Sequence, residues 1–302
     1  MVPLAALGLT TAVWIALNFA RSLPLTDETS NGLIPGSTVE ITGFRFDAWQ
    51  LPDDPLLGFV EVPAGPFLMG SDSSIDPMAF DIERWSSAAA QGVVELPTYY
   101  IGRFEVTVAQ IRSFVQATGY PIEAQALSGA ATHPAAFISW PDALAYSRWL
   151  DAILRTSPVT PTALRALLNS GSRVTLPTEA QWEKASRGDD GRIYPWGTGP
   201  RPDRATYQTI STTAVGSHQC PECPFGLNDM AGNVWEWTIS PYQPYPFDPD
   251  NDSAGLGNES LWVMRGGSFG DPPNFVRAAT RGGGDPGARR AFIGFRIVIS
   301  PS

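Results

Sequence analysis

Glycine and proline punctuate this chain from end to end, with 29 Gly and 28 Pro in 302 residues. Together they approach a fifth of the sequence, against roughly 12% in ordinary globular proteins. No triplet period runs through them, which excludes a collagen-like helix. Breakers this dense also exclude a bundle of long helices and favour short elements joined by turns. The rest is the composition of a packed body, 43% apolar and 17% charged with ten Trp, rather than a disordered tail. The net charge of −10 disfavours nucleic acid, whose phosphates repel an acidic surface.

The amino-terminal stretch stands apart. Residues 2–20 carry no charge and Arg21 ends the run. As a helix these residues rise about 28 Å, close to the ~30 Å hydrocarbon core of a bilayer. A cleaved signal peptide is the rival, but the run lacks a basic n-region, and Asn18-Phe19-Ala20 is a poor cleavage site. Residues 1–21 are therefore expected to be a transmembrane anchor. Residues 22–57 read as an acidic linker: from Asp27 to Glu83 eleven acidic residues face a single Arg45. Such an imbalance suits a solvated face or a partner-facing surface.

The two cysteines, Cys220 and Cys223, form one Cys-Pro-Glu-Cys. That is half a zinc site, and the only histidines, His133 and His218, are not spaced to complete it. No thioredoxin-like βαβ unit surrounds the pair, as a redox dithiol usually requires. A local disulfide is the favoured reading, and it points to an oxidising, extracytoplasmic compartment.

From residue 58 onward the pattern is α+β. Phe59–Val62 alternates like a strand and turns at Pro63-Ala64-Gly65. Tyr99–Val106 is a second strand, followed by Thr107 as a helix cap with Gln110 three residues on. Val108, Ile111, Phe114 and Val115 make the apolar stripe, and Gly119 stops it. Ser139 opens a second helix to about Leu154, 162–169 a third, and Thr178 a fourth to about Ser186. Phe292–Ile299 reads as a closing strand.

Several blocks carry a family resemblance. They include Val62-Pro63-Ala64-Gly65-Pro66-Phe67-Leu68-Met69-Gly70, Leu176-Pro177-Thr178-Glu179-Ala180-Gln181-Trp182-Glu183 and Tyr194-Pro195-Trp196-Gly197. Gly226-Leu227-Asn228-Asp229-Met230-Ala231-Gly232-Asn233-Val234-Trp235-Glu236-Trp237, Arg265-Gly266-Gly267-Ser268-Phe269 and Gly294-Phe295-Arg296 complete the set. In this order they resemble the formylglycine-generating-enzyme, or sulfatase-modifying factor, superfamily. The resemblance implies a loop-rich, C-type-lectin-like fold over residues 58–302, preceded here by one transmembrane helix. It does not imply a function, because one fold hosts many.

The resemblance also says where chemistry would sit. Oxidase members carry two copper-binding Cys after Gly-Gly-Ser, at the positions of Asp271 and Val276 here. A carboxylate and a valine cannot form a thiolate copper site. The iron-dependent branch uses three histidines, and this chain owns two, so neither copper nor iron is expected. Calcium is the cofactor the resemblance leaves open. Asp229 and Glu236 would supply side-chain oxygens, and Gly232 and Val234 carbonyls, a hard-oxygen set suited to Ca²⁺. A second family calcium loop, between Trp196 and Gly226, has Ala205-Thr206-Tyr207 where an Ala-Asn pair is usual.

Arg277, Arg281, Arg289 and Arg290 gather near the carboxyl terminus. They read either as an anion or partner contact or as intramolecular partners for the acidic segment. Arg265 and Arg296 flank motifs and read as buried braces. The Pro-rich aromatic loop 241–259 is an alternative contact surface. The expectation is a non-catalytic, membrane-anchored accessory or scaffold subunit of an extracytoplasmic membrane complex, respiratory or photosynthetic for example, contacting other subunits. The alternatives are a tailoring oxidoreductase with an unrecognised site, and a calcium-dependent carbohydrate- or peptide-binding protein.

Overall fold

A computed structural model describes residue 49 and residues 51–248 and 260–301. The predicted anchor (1–21), most of the linker and residues 249–259 of the aromatic loop lie outside the described residues. Among those described, no helix is long and apolar enough to cross a membrane.

Among the described residues three short sheets organise the domain. Strands β1 (Phe59–Val62), β4 (Tyr99–Gly102), β10 (Val298–Pro301) and β5 (Ser172–Thr175) lie side by side in that order, all antiparallel. β2 (Gly65–Met69) pairs β3 (Gly92–Leu96) alone. The third sheet runs β8 (Arg281–Gly284), β7 (Trp262–Arg265), β6 (Trp235–Pro241) and β9 (Ile293–Gly294), with β6 and β9 parallel.

Helix starts follow their local chemistry. α1 (Val108–Thr118), α2 (Trp140–Thr156) and α4 (Glu179–Arg187) each begin with a closed capping box, at Thr107/Gln110, Ser139/Asp142 and Thr178/Gln181. α1 buries Val108, Ile111 and Phe114 and stops at left-handed Gly119. α3 (Thr162–Asn169) buries Leu164 and Leu168. α4 is different: all nine residues are buried, including Glu179, Glu183, Lys184 and Arg187. A charged helix in the interior requires partners on every side.

Aromatic rings fill the spaces between layers. Trp140 stacks on Trp262 with centroids 3.8 Å apart. The Trp237 indole N–H donates to the Ile138 carbonyl and that of Trp140 to the Thr238 carbonyl. The Gly run of β8 makes room for such rings, since a Cβ on Gly284 would lie 2.5 Å from the Trp237 ring. Two sequence expectations need correction. The closing strand Phe292–Ile299 divides into β9 and β10, because the chain leaves the ladder where Arg296 turns inward to pair with Glu236. Leu57, assigned to the linker, is 4% exposed and belongs to the main apolar core.

Candidate functional site

The family motifs converge on buried charge. Glu183 on α4 accepts from the Gly70 amide at 2.8 Å and pairs with Arg187 and with Arg265 at the end of β7. Arg265 lies over the Trp182 ring and donates to the Ala279 and Thr280 carbonyls. One turn earlier, Glu179 takes a two-point contact from Arg281, at 2.6 and 2.8 Å. Tyr245 covers that guanidinium at 3.9 Å, a cation–π contact in a desolvated place. Arg277 is held by Asp76 at 2.6 Å and by both oxygens of Glu83.

These contacts settle where the carboxy-terminal arginines sit. Arg277 and Arg281, expected in an anion or partner contact, are 1% and 5% exposed and already neutralised by buried carboxylates. Two-point Arg–carboxylate geometry outcompetes an outside anion that must first be desolvated. Arg289 pairs with Asp142 at 2.9 Å at the edge of the domain. Arg290 is exposed and donates to the Arg289 carbonyl. Only these last two present charge to solvent.

A second buried centre lies under the Gly226–Trp237 loop. Glu236 receives Arg296 Nε and Nη2 at 2.6 and 2.7 Å and the Trp182 indole N–H at 2.6 Å. Burial works against the Arg296 charge, but the Glu236 pair outweighs it and raises the pKa. Glu236 was expected beside Asp229 as a cation ligand. Instead it gives both oxygens to protein donors, because Arg296 arrives from the far end of the chain to the same place.

The unsatisfied oxygens belong elsewhere. Asp229 Oδ2 accepts the Gly216 amide at 2.7 Å, while its Oδ1 is buried without a partner. Glu105 Oε2 accepts from the Asn233 side-chain amide at 2.9 Å, and its Oε1 is likewise unpartnered. Burial, then the nearby Asp229 and Glu236 charges, push the Glu105 carboxyl well up. Burial also raises Asp229. Both residues adjoining this centre in the loop, Asp229 and Asn233, hold left-handed backbone at φ 56° and 61°, which Asp and Asn adopt more readily than other side-chain-bearing residues. Gly232 between them runs at φ 77°, and a Cβ there would lie 2.1 Å from the Thr206 carbonyl oxygen. Among the described residues no three His, Cys, Asp or Glu side chains converge as a metal site. Two buried carboxylates, each with an oxygen left without a partner, nevertheless suit the chemistry of a hard divalent cation.

The positions of the family's redox cysteines are filled by different chemistry. Asp271 Oδ2 accepts three hydrogen bonds, from the Ser268 amide (2.9 Å), the Ser268 hydroxyl (2.7 Å) and the Trp235 indole N–H (2.8 Å). Burial still raises its pKa against those donors. Val276 is fully buried in a small apolar cluster with Ile193, Tyr194, Ala205, Tyr207 and Ala231. One position is a hydrogen-bonded brace and the other is core. The histidines are engaged as well: His133 Nδ1 lies 2.9 Å from the Thr212 hydroxyl, and His218 Nε2 lies 3.0 Å from that of Thr206. Cys220 and Cys223 are joined as a disulfide.

The family described as sulfatase-modifying factor enzyme 1-like domain matches residues 47–301. The chain belongs to this family. The hercynine oxygenase of Mycolicibacterium smegmatis is 30% identical over 264 residues, 79% of this chain and 60% of that protein. The chain thus spans about 60% of the length of that relative. The inactive C-alpha-formylglycine-generating enzyme 2 of Mus musculus is 29% identical, covering 82% of this chain and 86% of its own. Among solved structures, PvdO from Pseudomonas aeruginosa has the same fold, with TM-score 0.63 and 24% identity over 80% of this chain and 94% of that one.

Within this sulfatase-modifying-factor domain, sequence reasoning missed Glu105. Its signal was a lone carboxylate in the apolar Phe104-Glu105-Val106 run, where a charge needs a buried reason.

Proposed function

We propose that the protein is a non-catalytic, membrane-anchored scaffold whose sulfatase-modifying-factor domain binds other subunits of an extracytoplasmic membrane complex. The observation that carries this reading is Asp271, tied by three donors where the family's redox chemistry would need a thiolate. A carboxylate locked in this way braces the Gly-Gly-Ser turn. The name of the mouse relative, an inactive family member, supports a role without that chemistry. The uncharged run at residues 2–20 supports an anchor, and the Cys220–Cys223 disulfide supports an oxidising compartment. Among the described residues the buried arginines 265, 277, 281 and 296 are each paired with a buried carboxylate, so they brace the domain. Mild detergent extraction of native membranes is expected to release this chain in a complex with other subunits. Recovery of the free monomer alone would count against the scaffold.

The same reading includes a structural calcium ion. Asp229 and Glu105 would supply the charged oxygens, with the Gly232 and Val234 carbonyls completing the set, and bound Ca²⁺ would offset the burial, and behind it the repulsion from neighbouring carboxylates, that raises both carboxyls. Chelator-treated protein is expected to melt at lower temperature and to recover on adding Ca²⁺. At a hundredfold excess over Kd the gain is about 2.7 kcal/mol. A melting curve indifferent to chelator and to added Ca²⁺ would remove calcium from the account.

A further inference from the structure

The Cys-Pro-Glu-Cys disulfide sits where it can act on the cation loop. Both cysteines are partly exposed and so open to a reductant. The segment they close is held by Arg192, which donates to the Glu222 carbonyl at 2.6 Å, and the chain on either side of it is fastened to the Asp229 centre. Gly216 on its amino-terminal side donates the 2.7 Å hydrogen bond to Asp229 Oδ2. His218 accepts from the Asn228 side-chain amide through its carbonyl, at 2.9 Å, and its ring meets the Thr206 hydroxyl. The Thr206 carbonyl in turn accepts the Asn233 amide at 2.8 Å. Glu222, between the two cysteines, pairs with Arg204 at 2.8 Å. On the other side of the disulfide Phe225 holds left-handed backbone, φ 58°, which a bulky residue keeps only under constraint. Phe225 also packs against the apolar core that holds Val62, Met69 and Trp182, two residues beyond the covalent closure.

We propose that the Cys220–Cys223 pair is a thiol–disulfide switch, locking the Gly216–Asn233 segment around Asp229 when oxidised and loosening it when reduced. The partner class is a dithiol. One thiolate of the dithiol attacks a cysteine sulfur and the S–S bond breaks. The second thiol then resolves the mixed disulfide. Two electrons and two protons pass to Cys220 and Cys223, which end as thiols, and the dithiol ends as a disulfide. Reduction removes the covalent closure between the two stretches that bond the Asp229 centre. The Gly216 amide is then no longer fixed on Asp229, and the cation loses a preorganised ligand. The effect on the cation rests on the calcium reading above; the loosening of the segment does not.

The full chain tests this in detergent, with hydrogen exchange read before and after dithiothreitol and after reoxidation. The Cys220→Ser/Cys223→Ser variant serves as the permanently open form. Amides of residues 214–233 are expected to exchange about tenfold faster when reduced, with β1, β4 and β10 unchanged as the control for global unfolding. The calcium half-saturation point is expected to rise about tenfold on reduction. The double variant should match the reduced protein whatever its redox treatment. Exchange that does not change on reduction overturns the switch, as does an equal calcium half-saturation point in both forms. Calcium binding absent from both forms, with exchange still responsive, overturns the calcium reading instead and supports the switch.

Discussion

Arg296→Ala is expected to lose about 3–5 kcal/mol of stability, the cost of leaving a buried ion-pair partner alone. Glu236 is fully buried, and Arg296 supplies two of its three hydrogen bonds. The same guanidinium donates to the Asn228 and Asp229 carbonyls, so its loss also loosens the loop. At roughly 2–4 °C per kcal/mol for a domain of this size, the melting temperature should fall by at least about 6 °C. Acid should soften the loss. Burial raises the folded pKa values of the neighbouring Glu105 and Asp229 carboxyls above their unfolded values, and Arg296 is one of the groups that holds them down. Stability from their protonated form is present below the unfolded pKa and disappears as pH rises through the folded one. The variant should therefore lie closer to the parent in mildly acidic buffer than at neutral pH. Replacing both partners, as Arg296→Met with Glu236→Gln, should recover much of the loss. A single variant that melts like the parent would show that the pair does not hold this region.

Gly232→Ala is the second large expectation. The new methyl would meet backbone, the Thr206 carbonyl at 2.1 Å, at a φ of 77° that side chains rarely adopt. No side chain can move aside to relieve it, so the loop must shift. That shift breaks the Gly232 amide bond to the Gly266 carbonyl and the Asn233 amide bond to the Thr206 carbonyl. A cost of about 3 kcal/mol or more follows from strain and lost hydrogen bonds together. Gly199→Ala is the control, because nothing lies within 4 Å of its added methyl. It should change stability by no more than about 0.5 kcal/mol. Equal melting temperatures for the two variants would contradict the tight loop.

What the sequence revealed was what is locally determined. Thr107, Ser139 and Thr178 announce their helices because a capping box is built from four neighbouring residues. The motif loops were legible for the same reason. Charge partners were not, because they are joined only by the fold. Arg277 meets Asp76 and Glu83 across 201 and 194 residues, and no local pattern connects them. The Arg296 partner of Glu236 was hidden in the same way, since a carboxylate in that loop reads alike whether it faces a cation or Arg296 sixty residues on. Glu105 was passed over because its meaning depends on Asn233 and Asp229, which arrive from the other half of the chain. Asp271 marked a departure from the family by identity alone. Only its three donors reveal that it is a brace.

If the proposed scaffold works without the family's redox chemistry, a substrate thiol is left untouched, and one assay reads this directly. The full chain would be incubated with Cu(I), Ca²⁺, a reductant, oxygen and a peptide carrying the cysteine that family oxidases convert, and the peptide followed by mass spectrometry. The prediction is that the peptide thiol survives at the rate of the protein-free control. Protein-dependent conversion of that cysteine to the aldehyde, lost on heat denaturation, would contradict it.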